Sequence, residues 1–159
     1  MQNAKILTAA EMRAERDALR AAGKKLVFTN GCFDLMHAGH TTYLKFAREQ
    51  GDALCVGLNS DASVRDNKGD LRPIIDEANR ATVLASLRCV DFVVIFNEKE
   101  PKELLAQILP DVLVKGKDWA HYVSGREIVE AAGGRVVLAD MVPGLSSTNI
   151  IKRILDGYR

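Results

Sequence analysis

Two of the chain's three histidines bracket Ala38-Gly39 in the run Asn30-Gly31-Cys32-Phe33-Asp34-Leu35-Met36-His37-Ala38-Gly39-His40. An apolar stretch, residues 25–30, precedes them and a helical pattern follows. The order is therefore strand, tight turn, helix start. Free backbone N–H groups and the positive end of a helix dipole favour an anion at such a start. Two imidazoles beside it can donate to that anion, and Gly39 lets backbone approach closely. This combination is suited to chemistry on a phosphate. The same residue types leave other readings open: two surface histidines in a loop, or a zinc site using Cys32, His37 and His40, for which no fourth ligand is evident.

Further along, Ser146-Ser147-Thr148 places three hydroxyls where one would cap a helix, which fits either a second anion site or simple capping. Asn59-Ser60-Asp61 follows an apolar strand and can cap the next helix or face a ligand. Arg65 and Lys68 sit in a charged segment where they can meet phosphate or only water. Arg80 stands beside the apolar face of a helix, able to reach a site or to snorkel. Val114-Lys115-Gly116-Lys117-Asp118-Trp119 ends another strand with a glycine, charges and the single tryptophan, as a pocket wall does.

The elements that must position these groups follow from periodicity and punctuation. Residues 8–22 read as an amphipathic helix, capped by Thr8 with Glu11 three residues on and stopped by Gly23. Strands are predicted at residues 25–30, 53–58, 91–96, 112–115 and 135–139. Helices are predicted at residues 39–50, 77–88, 101–109 and 147–156, and one capped by Ser124 ends at Gly133-Gly134. Residues 65–76 read as a mobile surface loop. Alternating β and α argues for a five-stranded parallel sheet covered on both faces. Ligands in such α/β folds bind beyond the carboxyl ends of the strands, where strand order reverses. The candidate residues share that edge.

A chain of 159 residues fits one domain, 1–159, with an N-terminal helix in 1–23 and a core in 24–157. A net charge of +1 and 6% aromatics give no footprint for nucleic acid. No apolar stretch reaches the roughly 20 residues of a membrane span, and the first 20 residues lack a signal-peptide core. Three widely spaced cysteines, Cys32, Cys55 and Cys89, suggest free thiols in a reducing cytoplasm.

Taken together, Gly31-x-Phe33-Asp34-x-x-His37-x-Gly39-His40, Asn59-Ser60-Asp61 and Ser146-Ser147-Thr148 resemble the nucleotidyltransferases of the HxGH superfamily. Thr29 to Leu35, Leu71-Arg72-Pro73, Val114-Lys115-Gly116-x-Asp118 and Ser146 to Ile151 are similar to the family of heptose 1-phosphate adenylyltransferases of the ADP-heptose route to lipopolysaccharide. Lys117 and Trp119 depart from the small residue and the tyrosine common in that family. The resemblance implies a Rossmann-like three-layer α/β/α nucleotidyltransferase fold. It also implies an enzyme joining ATP, with Mg2+, to a heptose 1-phosphate, in a stand-alone form without the sugar kinase often fused to it. His37, His40 and Lys68 become the catalytic groups. Asn30, Gly31, Cys32, Phe33, Gly39, Arg80, Lys115, Gly116, Asp118, Ser146, Ser147 and Thr148 become nucleotide contacts. Asp34, Asn59, Asp61 and Arg65 become sugar-phosphate contacts, and no residue is assigned to a metal. A homodimer or higher homo-oligomer follows only by analogy. Two alternatives share the site: a cytidylyltransferase acting on glycerol 3-phosphate or another alcohol phosphate, and a nucleotide-binding subunit without turnover.

Overall fold

The computed structural model describes residues 3–158. Met1, Gln2 and Arg159, which the expected span 1–159 includes, lie outside the described residues. The first helix, α1 (Ala9–Ala21), begins as its sequence dictates. Thr8 Oγ1 accepts from Glu11 N, and Glu11 returns a carboxylate to Thr8 N. Five strands follow: β1 (Leu26–Gly31), β2 (Ala53–Asn59), β3 (Phe92–Phe96), β4 (Val112–Gly116) and β5 (Arg135–Ala139). Between them run α2 (Ala38–Arg48), α3 (Asp61–Lys68), α4 (Glu77–Ala85), α5 (Lys102–Ile108) and α6 (Arg126–Ala131), and α7 (Ser147–Gly157) closes the order.

The strands form one parallel sheet in the order β3-β2-β1-β4-β5. Successive side chains of a strand point to opposite faces, and each face carries its own core. Val27 packs with Leu44 and Ala47 of α2 and with Ala81 and Leu84 of α4. Leu26 and Phe28 pack with Met12 of α1, with Leu104, Leu105 and Ile108 of α5 and with Val129 of α6. The result is the three-layer α/β/α arrangement expected, with strand order reversing between β1 and β4. Those two strands are in register at Val27–Val112 and Phe28–Leu113. Beyond that point Thr29 Oγ1 and Tyr43 Oη lie 2.9 and 3.0 Å from the Val114 carbonyl oxygen and 2.6 Å from each other. One hydroxyl donates to the carbonyl and the other donates to that hydroxyl, so side chains continue the seam where the ladder stops. Among the described residues, no helix is long and apolar enough to cross a membrane.

Three expectations change. The segment read as a loop from residue 65 is helical to Lys68, so the loop starts at Gly69. Ser60 caps this helix, Val64 is buried, and Asn67 Nδ2 ties its last turn to Ser63 O and Lys99 O. The 77–88 helix ends at Ala85. Ser124 does not cap α6. Gly125, at φ +84°, stands at that position instead.

Candidate functional site

A cavity of about 820 Å³ opens at the carboxyl ends of β1 and β4, at the strand-order reversal. A second hollow of about 430 Å³ runs along α7 from Asn149 to Gly157 and shares no lining residue with the first.

The turn after β1 forms one end of the large cavity. Phe33 takes φ +45°, a left-handed conformation that costs a non-glycine residue about 1–3 kcal/mol. Its ring then lies 5.4 Å from that of His40. His37 is the N-cap of α2. Its Nδ1 accepts from Gly39 N at 3.1 Å, and its own N donates to His40 Nδ1 at 3.3 Å. A Cβ on Gly39 would stand 2.9 Å from the His37 ring, so only glycine permits this cap. Both Nδ1 atoms receive backbone protons, so each neutral ring carries its own proton on Nε2. The rings stack at 3.9 Å, and His37 Nε2 is buried without a partner. Burial pushes the His37 pKa down. Burial, with the neighbouring ring adding to it, pushes His40 to about 4. At neutral pH the pair is thus two neutral donors rather than two cations.

Asp34 is buried, and its fate differs from the sequence expectation. Burial alone would raise its carboxyl pKa. The amides of Ile74 and Ile75 and the Arg72 guanidinium outweigh that and hold it low. The bonds are 2.8 Å to Ile74 N, 2.9 Å to Ile75 N and 2.7 Å to Arg72 Nε. Asp34 borders the cavity but is spent on fastening the 69–76 loop and holding Arg72.

On the β4 side, Lys115 reaches Asn30 Oδ1 at 3.3 Å and lies 5.6 Å from the Trp119 ring centroid. Burial lowers the pKa of Lys115, with Asp118 opposing that shift. Gly116 and Asp118 share this wall. Ser146 caps α7 by accepting from Asn149 N at 3.0 Å, and Ser147 Oγ donates to Leu35 O at 3.0 Å. With Thr148, they bring a second helix N-terminus to the same cavity as that of α2.

Most of the residues singled out from sequence therefore converge: Asn30 to Asp34, His37, Gly39, His40, Asn59, Lys68, Lys115, Gly116, Asp118 and Ser146 to Thr148 all line this one cavity. Arg80, Asp61 and Arg65 do not line it. The Arg80 side chain is fully enclosed and donates to Ile75 O, Cys32 O, Asn59 O and Asp61 Oδ1, all at 2.7–2.8 Å. It braces the turns after β1 and β2, and Asp61 is its counter-charge. Arg65 lies on α3 one turn before Lys68 and does not reach the cavity wall. Arg72, Asn67, Lys99 and Ser124 line the cavity and were not singled out as site residues. The conspicuous Leu71-Arg72-Pro73 could have pointed to Arg72. Ser124, one residue before a glycine, gave a capping signal instead. Among the described residues, no cluster of three His, Cys, Asp or Glu is placed to hold a metal ion.

The family model described as Cytidylyltransferase-like matches residues 28–153. The chain belongs to the cytidylyltransferase-like family. Membership fits a cavity built from the turn after β1 and the start of α7, which both fall within the match. Relatives include the protein named Bifunctional protein HldE of Pelobacter propionicus, 57% identical over 143 residues, 89% of this chain and 29% of the relative. The protein of the same name from Syntrophotalea carbinolica is 52% identical over 157 residues, 98% of this chain and 32% of that one. The chain thus spans about a third of the length of these curated relatives. Among solved structures, a lipopolysaccharide core biosynthesis protein from Thermoplasma volcanium matches with TM-score 0.63 and 28% identity, over 76% of this chain and 98% of that chain. A pantoate-beta-alanine ligase from Francisella tularensis, at 18% identity and TM-score 0.59 over 95% of this chain and 78% of its own, shares the fold.

Proposed function

We propose that the chain is a nucleotidyltransferase that condenses ATP with D-glycero-β-D-manno-heptose 1-phosphate, giving ADP-heptose and pyrophosphate for the lipopolysaccharide core. Residues 24–157 act as the catalytic core, with α1 packed beneath it, in the cytoplasm. The observation that carries the transferase reading is the stacked imidazole pair, with both Nδ1 atoms pinned by backbone and a buried Nε2–H of His37 left over. The heptose reading rests on the motif resemblance and on the likeness to the lipopolysaccharide core biosynthesis protein.

A sugar 1-phosphate is ionised at neutral pH, so its oxygen attacks the α-phosphorus without a general base. A new P–O bond forms as the α–β bridging P–O bond breaks, and the electron pair leaves with pyrophosphate. The protein's task is to hold two anions together and to stabilise charge on the α-phosphate and the leaving group. His37 and His40 offer Nε2–H donors that need no change of protonation. Lys68 and Arg72 supply positive charge near the turn after β1, and Lys115 supplies it at the β4 wall. The N-termini of α2 and α7 add the positive ends of two helix dipoles. Mg2+ arriving with ATP would offset phosphate charge, and among the described residues no cluster of three His, Cys, Asp or Glu is placed to hold it apart from the nucleotide.

The direct test is pyrophosphate release with ATP or CTP against a panel of phosphates. Release from ATP and heptose 1-phosphate is expected. Preference for CTP with glycerol 3-phosphate would assign the chain to the cytidylyltransferase alternative. ATP binding with no release for any acceptor would make it a non-catalytic subunit.

A further inference from the structure

Three buried polar side-chain atoms are without a partner among the described residues: His37 Nε2, Asn59 Oδ1 and Ser124 Oγ. All three belong to residues lining the same cavity. An unsatisfied buried polar group is costly, so such atoms mark where a ligand's own polar atoms belong. They do not ask for the same ligand atom. His37 Nε2 carries a hydrogen and suits a phosphate oxygen. Asn59 Oδ1 carries none.

The orientation of the Asn59 amide is fixed by a chain of donors. The Glu98 carbonyl can only accept, so Ser63 Oγ, 2.7 Å away, must donate to it. Ser63 Oγ is then an acceptor toward Asn59, and takes a hydrogen from Nδ2 at 3.0 Å. The amide cannot be reversed without setting two acceptors against each other. Oδ1 is the atom left without a partner, in a cavity-lining residue only 4% exposed. A buried obligate acceptor repels a phosphate oxygen and is satisfied by a hydroxyl or an N–H.

The two kinds of group also stand on opposite sides of the sheet. His37 begins α2, which packs on the face that carries α4. Ser124 leads into α6 on the other face, and the Ser63 Oγ that orients Asn59 is tied to Glu98, just ahead of α5 on that same face. We propose that Asn59, held by Ser63 and accompanied by Ser124, reads the hydroxyl-bearing part of the acceptor substrate. A sugar hydroxyl donates to Asn59 Oδ1 while the phosphate lies toward the histidines. This rests on the reading of the acceptor as a sugar phosphate. Asn59 is then a specificity-determining residue, and Ser63 is a positioning residue acting through it.

Steady-state pyrophosphate release with ATP and heptose 1-phosphate tests it. Asn59→Ala should raise KM for the sugar phosphate about tenfold, the cost of one lost neutral hydrogen bond, with KM for ATP within about twofold. Ser63→Ala frees the amide to turn and should raise the same KM about threefold. Among monodeoxy analogues, one should cost the wild type about what Asn59→Ala costs, and Asn59→Ala should lose nothing further with it. Circular dichroism checks that both variants fold. Equal losses on ATP and sugar, or a variant that still discriminates among the deoxy analogues as the wild type does, overturns the proposal. If the wild type releases no pyrophosphate from this pair, the heptose reading fails separately. Calorimetry with glycerol 3-phosphate and with inorganic phosphate then decides the hydroxyl claim. A loss on Asn59→Ala confined to the ester supports it; equal loss on both, no loss, or no binding of the ester to the wild type overturns it.

Discussion

Two helix N-termini face the same cavity, and they are supported in opposite ways. The start of α2 is locked. His37 and His40 cap each other's backbone, Arg80 holds the Cys32 carbonyl, and α2 buries Leu44 and Ala47. The start of α7 is lightly held. Ser147 Oγ reaches Leu35 O, Asn149 Nδ2 reaches Gly144 O at 3.2 Å, and none of the described α7 residues is buried. Both ends aim a helix dipole at the cavity, but at α2 the amides of His37 and Gly39 are spent on the imidazoles, which makes that end the rigid one. The difference separates two tasks that a phosphate-transfer site must perform. Under the proposed function, the fixed end would set where the reacting phosphorus lies and the lightly held end would meet the rest of the triphosphate.

That contrast can be broken at several points. Arg80→Met removes the brace and leaves Asp61 and three carbonyls without their partner. It should destabilise the protein by about 3–5 kcal/mol, read as a lower urea midpoint. A near-normal midpoint would remove Arg80 from the support of the fixed end. His40→Ala should lower kcat roughly 10²-fold or more, the scale of losing a charge-stabilising donor, with circular dichroism unchanged. Turnover close to wild type would place the chemistry elsewhere. Lys68→Ala should raise KM for ATP about tenfold, and Arg65→Ala should leave it nearly unchanged, because Lys68 alone of the two lines the cavity. The reverse ranking would show that α3 presents its other face to the nucleotide. Ser147→Ala should cost about 1 kcal/mol at most and act locally, speeding hydrogen exchange in α7 without moving exchange in α2.

The imidazoles sharpen the same contrast through pH. Folding lowers the pKa of His37, and lowers that of His40 to about 4. Between the ordinary value near 6.5 and about 4, the unfolded chain therefore binds more protons than the folded one. Stability should fall as pH drops through that window, and His40→Asn should flatten the dependence. Equal urea midpoints for the wild type at pH 7 and pH 5 would contradict the buried neutral pair.

Local signals made much of this legible from sequence. The capping box at Thr8, the apolar run before Asn30, the glycine between the histidines and the hydroxyls before α7 each act through neighbours a few residues away. The alternation of strands and helices then placed the site at the strand-order reversal. Long-range hydrogen bonding was what stayed hidden. From its place beside an apolar face Arg80 could reach the site or snorkel, and it does neither, because three of its four acceptors come from residues 32, 59 and 61, remote in the chain. Asp34 was read as facing substrate, and its amide donors lie 40 residues on. The 65–68 segment looked like a loop because its charges mask a single buried valine, Val64, and a tie from Asn67 to Lys99. Asn59 was noticed, yet the direction of its amide depends on Ser63 and on a carbonyl at residue 98.

The seam between β1 and β4 carries one more implication. Backbone pairing joins the two half-sheets over two residues, and past that point an alcohol and a phenol, Thr29 and Tyr43, hydrogen-bond to each other and to a single carbonyl at Val114. At the crevice the two half-sheets are thus joined by side-chain oxygens that can be edited one at a time. Tyr43 lines the cavity while Thr29 stands behind it, so an engineer wishing to admit a bulkier acceptor would begin at Thr29, the half of the seam that leaves the lining in place.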